Sequence, residues 1–98
     1  MNRLYGLIGF PLGHSFSARY FTEKFQRENL SGYEYRNFPL ESIRELPAML
    51  ENHPGLLGFN VTIPYKQEVI PFLTALSAEA REIGAVNCVK ITPQGLYG

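Results

Sequence analysis

Lys66 stands at the end of Asn60-Val61-Thr62-Ile63-Pro64-Tyr65-Lys66, just past an apolar run. Pro64 suits the first position of a helix, so Lys66 is expected in a first helical turn. A cation there opposes the helix dipole. Lysine is also the cationic side chain that sheds its proton most readily when desolvated. These are the conditions of an acid/base lysine, although a solvated surface lysine is the commoner occupant of such a position. Thr62, at the strand end, offers a hydroxyl to a ligand hydroxyl or to the helix as a cap.

Gly13-His14-Ser15-Phe16-Ser17 follows another apolar run. Two hydroxyls and free backbone N–H groups at a helix entrance suit a carboxylate or phosphate, while a single capping serine explains the same spacing. Asn87, in Ile83-Gly84-Ala85-Val86-Asn87-Cys88, is a short amide among apolar neighbours. A buried amide must find partners, so Asn87 either faces a ligand or is a satisfied strand-end residue. Cys88 has no base spaced to activate it and is expected to be a small buried hydrophobe. His14 and His53 lack metal-pair spacing and a carboxylate cluster, and His53 is expected on a surface loop. Gly6, Gly9 and Gly13 match neither G-x-G-x-x-G nor the phosphate loop G-x-x-x-x-G-K-[ST], so neither kind of nucleotide cradle is expected.

Alternating strands and helices would position these groups. Strands are expected at Leu4 to Phe10, Tyr33 to Phe38, Leu56 to Val61 and Ala85 to Ile91, with Leu96-Tyr97 opening another. A helix is expected from Ser17, with Ala18, Phe21 and Phe25 along one stripe. Ser42 to Glu45 matches a capping box ahead of Ile43, Leu46 and Leu50. Pro47 is either an interior proline or the first residue of the helix proper. A short helix opens at Pro64 and breaks at Pro71, and Ser77 and Gly84 bracket a last one at Ala78 to Ile83. This order predicts an α/β three-layer sandwich, with a mostly parallel sheet and helices on both faces. In such sheets ligands bind beyond the carboxyl ends of the strands, where Ser15, Ser17, Thr62 and Lys66 fall. The expected core is Leu7, Ile8, Phe21, Phe25, Leu46, Leu50, Leu57, Phe59, Val61, Ile83, Val86 and Val89.

Composition narrows the function classes. The 98 residues suffice for one domain. With 45% hydrophobic and 18% charged residues the chain is not intrinsically disordered. Nine basic and nine acidic residues cancel, leaving no footprint for nucleic acid. No apolar run approaches a membrane span, and the N-terminal stretch is not expected to be a signal peptide. One cysteine excludes an intrachain disulfide framework and points to a reducing compartment, read as the cytoplasm.

Three stretches together resemble the substrate-binding domain of the shikimate dehydrogenase family. Gly9 to Ser17 is similar to its G-x-P-x-x-H-S-x-S element, Asn60 to Lys66 to N-V-T-x-P-x-K, and Ile83 to Asn87 to I-G-A-V-N. They occur in family order and span nearly the whole chain. Ala18, Phe21 and Thr22 stand where the family often has Pro, His and Asn.

The resemblance implies NADPH-dependent reduction of 3-dehydroshikimate to shikimate, in chorismate and aromatic amino acid biosynthesis. It implies that Ser15 and Ser17 hold the substrate carboxylate, that Thr62 and Asn87 bind ring hydroxyls, and that Lys66 passes a proton to the carbonyl oxygen. The family's next element, G-x-N-T-D, carries an aspartate partner for the lysine. The chain ends at Gly98, so residues 1–98 are expected to be the substrate domain alone, with the Rossmann domain that binds NADP(H) absent. No metal is implied. The fragment is expected to bind substrate without turning it over. Other functions to weigh are a stand-alone module binding a small hydroxylated carboxylate, and a quinate-accepting relative.

Overall fold

The computed structural model describes residues 3–12, 20, 23–24, 26–28 and 32–98. Strand β1 (Arg3–Gly9) is central. It pairs in parallel with β2 (Tyr33–Pro39) on one side and with β3 (Leu56–Val61) on the other. Strand β4 (Cys88–Thr92) runs antiparallel to β3, and β5 (Gly95–Tyr97) runs antiparallel to β4. The order is β2-β1-β3-β4-β5. The expected α/β class is found, but the sheet is mixed rather than mostly parallel in its pairings. The physical reason lies at Pro93-Gln94, the only residues between β4 and β5. A connection that short closes an antiparallel hairpin and cannot make a crossover.

One face of the sheet carries Ile8, Phe38, Phe59, Val61 and Val89. Leu46 and Met49 of helix α1 (Leu46–Asn52), Ala80 of helix α2 (Ala78–Ile83), and Tyr65, Val69 and Val86 complete that cluster. Fully burying each large apolar side chain contributes about 1.5–3 kcal/mol, so this layer dominates stability. Gly6 is required beneath it, because a Cβ there would lie 2.3 Å from the Phe38 ring. Leu7, Leu12 and Tyr35 are buried on the opposite face. The helix expected from Ser17, with Phe21 and Phe25, lies largely outside the described residues; Tyr20, Glu23, Lys24, Gln26 and Arg27 are helical.

The local signals act as their chemistry predicts. Ser42 and Glu45 form a reciprocal capping box on the 3-10 turn Ile43–Glu45. Pro47 follows in the first turn of α1, so it costs the helix no internal bond. Ser77 accepts from the Ala80 N–H at 3.1 Å, and Gly84 ends α2 at a φ of 77°.

Several expectations are corrected. Leu57 is 40% exposed, because the β1–β3 register slips between Leu4↔Leu56 and Tyr5↔Gly58 and turns Leu57 away from the core. Ile83 is 73% exposed: it ends a six-residue helix whose one buried residue is Ala80. Leu50 is only partly buried against the cluster. Cys88 is exposed, since it alternates with buried Val89 along β4, whose first residue it is. His53 is not a free loop residue. It caps the end of α1, its Nδ1 lies 2.9 Å from the Met49 carbonyl, and its ring meets Phe38 edge-on at 4.8 Å.

No helix opens at Pro64. Residues 63–64 and 66–69 are turns, and the only helical geometry between Pro64 and α2 is the 3-10 turn Ile70–Phe72, with Pro71 inside it. A helix would have the Ile70 N–H donate to the Lys66 carbonyl. Instead Ile70 donates to Gln67, and Lys66 accepts from Val86 at 2.8 Å.

Candidate functional site

Backbone bonds gather the carboxyl ends of the three parallel strands. The Leu40 N–H, just past β2, donates to Gly9 at the end of β1. The Thr62 N–H, just past β3, donates to Ile8 at 3.0 Å, and the Phe10 N–H returns the tie to Ile63 at 3.1 Å. The Tyr65 hydroxyl donates to the Leu40 carbonyl and closes the ring between β2 and the segment after β3. Gly9 makes this possible, since a Cβ there would lie 2.4 Å from the Thr62 methyl.

The segment before β4 joins the same place. The Val61 N–H donates to Asn87 at 2.7 Å, and the Val86 N–H to Lys66 at 2.8 Å. Thr62, Lys66 and Asn87, up to 25 positions apart in sequence, are therefore brought together at one end of the sheet. Thr62 and Lys66 are half-buried and Asn87 is exposed. Among the described residues, none of the three side chains makes a hydrogen bond or ion pair. A hydroxyl, an ammonium and an amide are left for a polar ligand. With no helix behind Lys66, the expected dipole effect has no source, and what directs the lysine is the pair of bonds on either side of it. Ser15 and Ser17 lie outside the described residues, although the chain leading to them leaves from Phe10, Pro11 and buried Leu12, against the Thr62–Ile63 segment.

Tyr65 is a residue that the sequence reading passed over. It is 3% exposed, and burial raises its pKa, assisted by the carboxylates of Glu68, Glu45 and Glu41. It therefore remains a hydrogen-bond donor at neutral pH. An aromatic residue between Pro64 and Lys66 was the available signal.

The glycines form no phosphate cradle among the described residues. The space at Gly6 is taken by Phe38 and that at Gly9 by Thr62, so these residues do not fit a dinucleotide. No cluster of three His, Cys, Asp or Glu residues among the described ones could hold a metal. A cavity of about 640 Å³ opens on the other sheet face, between Tyr5, Tyr35, Leu57, Asn60 and Lys90, and includes none of Thr62, Lys66 and Asn87.

A parallel three-stranded unit extended by an antiparallel hairpin makes an open α/β sheet, a class in which ligands bind beyond the carboxyl ends of the strands. The chain belongs to the family of the shikimate dehydrogenase substrate binding domain, whose model matches residues 7–89. It is 41% identical over 96 residues to a shikimate dehydrogenase (NADP(+)) of Clostridium beijerinckii, covering 96% of this chain and 35% of that protein. The shikimate dehydrogenase of Thermus thermophilus in complex with shikimate superposes with a TM-score of 0.85 at 28% identity, over 100% of this chain and 37% of that one. A 5-ketofructose reductase of Gluconobacter superposes with a TM-score of 0.88 at 26% identity, over 100% of this chain and 35% of that one. The chain thus spans about a third of the length of the relatives it matches.

Proposed function

We propose that residues 1–98 form the substrate-binding domain of a shikimate dehydrogenase, an enzyme that reduces 3-dehydroshikimate to shikimate with NADPH in the cytoplasm. The observation that carries this is the meeting of Thr62, Lys66 and Asn87 beyond the strand ends, with their polar groups unused by the described residues. Shikimate has a carboxylate and a ring of hydroxyls. Ser15 and Ser17 take the carboxylate, and Thr62 and Asn87 take ring hydroxyls. The Lys66 ammonium donates to the substrate carbonyl oxygen and supplies the proton that makes it a hydroxyl as the carbonyl carbon is reduced. The hydride comes from NADPH, for whose pyrophosphate Gly6 and Gly9 leave no room. The expectation for the 98-residue chain on its own is binding of shikimate without turnover.

Among the described residues no helix is long and apolar enough to cross a membrane. The likeness to the Gluconobacter reductase raises a second substrate, a keto sugar. A keto sugar has no carboxylate for Ser15 and Ser17, which favours shikimate. The test is titration of the 98-residue chain with shikimate and with 5-ketofructose, alongside a dehydrogenase assay with NADP. Saturable shikimate binding without turnover is expected. Failure to bind shikimate, or a preference for the keto sugar, would overturn the assignment.

A further inference from the structure

Lys66 needs a fixed direction if it is to protonate one oxygen, because a displacement of about 1 Å can cost two orders of magnitude in rate. Its own surroundings supply little rigidity. It lies on a turn, not a helix, and its side chain makes no hydrogen bond or ion pair among the described residues. What is fixed is the residue before it. The Tyr65 ring is buried in the cluster with Val69, Val86 and Leu40, and its hydroxyl bonds the Leu40 carbonyl. Its N–H donates to Thr62 at 3.0 Å, and its carbonyl accepts from Val69 at 3.0 Å. Leu40 is in turn held by its N–H on Gly9 at 3.1 Å. Every polar group of Tyr65 is thus committed: its backbone bonds hold the local turn from Thr62 to Val69, and its hydroxyl alone reaches another part of the fold, the residue just past β2. The Lys66 carbonyl, one residue on, accepts from Val86.

We propose that Tyr65 is a positioning residue for Lys66: its hydroxyl, clamped on the Leu40 carbonyl, locks the Thr62–Lys66 turn to the end of β2. Lys66 and the Thr62 hydroxyl then face one ligand together. The role rests on the function proposed above. It goes beyond it by placing in the site's framework a side chain that never touches substrate.

Alternatives are weaker on the same criteria. Filling this apolar cluster needs only an aromatic ring, which phenylalanine supplies without a hydroxyl to satisfy. A buried hydroxyl costs free energy unless it is bonded, so its presence there needs the Leu40 carbonyl and makes a directional tie. Phenylalanine fills nearly the same volume and lacks the tie, so Tyr65→Phe separates packing from positioning.

Three samples of the 98-residue chain decide the point: the unaltered protein, Tyr65→Phe, and Ser42→Ala. Ser42→Ala removes a helix cap of comparable cost and leaves the Tyr65–Leu40 bond intact. Amide hydrogen exchange at Val86, which donates to the Lys66 carbonyl, reads the Lys66 backbone without any ligand. Tyr65→Phe should speed that exchange roughly tenfold more than Ser42→Ala does, and, by loosening the Thr62 hydroxyl that the same turn carries, weaken shikimate binding by roughly tenfold, the equivalent of about 1.4 kcal/mol. Ser42→Ala should leave affinity within about twofold.

Unchanged Val86 exchange in Tyr65→Phe overturns the proposal, whether or not shikimate binds. Faster exchange with unaltered affinity overturns it as well. If the unaltered chain fails to bind shikimate, the proposed function falls, while selective loss of Val86 protection still establishes the clamp on Lys66. Should Tyr65→Phe not fold, the unaltered chain decides alone: a slowly exchanging Tyr65 hydroxyl proton by NMR supports the clamp, and a proton exchanging at the solvent rate refutes it.

Discussion

The Val86 N–H donates to the Lys66 carbonyl at 2.8 Å, across 20 positions of sequence. Had that carbonyl accepted from Ile70 instead, the segment after Pro64 could have wound into the expected helix. Ile70 turns to Gln67 instead, and the Val86 bond brings the Ala85–Asn87 approach to β4 against the lysine. One backbone contact thus assembles part of the candidate site.

Lys66 and Ser15 should separate kinetically in a full-length enzyme carrying this domain. Lys66→Ala should lower kcat far more than it raises KM, because proton donation matters mainly in the transition state. General acid catalysis of this kind contributes roughly 10²–10⁴-fold. Ser15→Ala should mostly raise KM, because a carboxylate is held alike before and during reaction. Steady-state kinetics of the two variants check this, and the opposite pattern would mean that the roles are exchanged.

Gly9→Ala should damage stability and site together. The new Cβ would stand 2.4 Å from the Thr62 methyl and 3.0 Å from the Ile63 carbonyl, and a backbone oxygen cannot rotate away. Overpacking of this kind costs about 1–3 kcal/mol, which lowers the melting temperature by about 4–8 °C for each kcal/mol in a domain of this size. Calorimetry and shikimate titration of the variant measure the two effects. A variant as stable as the parent, with equal affinity, would show that Thr62 is not held against β1.

Gly84→Ala tests a different use of glycine. A Cβ there meets nothing within 4 Å, but φ is +77°, where a side chain on an L-residue costs about 1–2 kcal/mol. Gly84→Asn should cost less, since asparagine tolerates the left-handed region. Urea denaturation of both variants orders them, and equal losses would place the penalty outside the backbone.

Much of this was legible in the sequence because it is local. The Ser42 and Ser77 caps, the Gly84 stop, the strands around Ile8 and Phe59, and the buried set of Leu7, Ile8, Leu46, Phe59, Val61, Val86 and Val89 all follow from short-range patterns. The errors arise where a distant residue overrules such a pattern. Lys66 bonds Val86 and Ile70 bonds Gln67 where a helix was expected, the slip opposite Tyr5 turns Leu57 outward, and the alternation of β4 exposes Cys88. Tyr65 went unremarked for the same reason, since its partner Leu40 lies 25 positions away. Thr62, Lys66 and Asn87 stood out in the sequence only by residue type, whereas the backbone bonds that bring their segments near one another belong to the tertiary fold.

Tyr65 should leave a signature in alkali. Its folded pKa lies above the ordinary 10.0, through burial first and the nearby Glu68, Glu45 and Glu41 second. Above pH 10 the unfolded chain releases this proton while the folded chain keeps it. The unfolded state then binds fewer protons, so stability falls as pH rises, until the folded-state pKa is passed. The contribution is fully present below pH 10 and is lost only in that alkaline window. Tyr65→Phe should cost about 1–3 kcal/mol at pH 7, from the lost bond and the Leu40 carbonyl left unpaired. That deficit should stay constant up to about pH 10 and shrink above it, as the parent loses what the variant never had. Denaturant titrations of both proteins from pH 7 upward measure the gap, and a deficit that widens in alkali would mean that the Tyr65 hydroxyl is already ionised in the folded state.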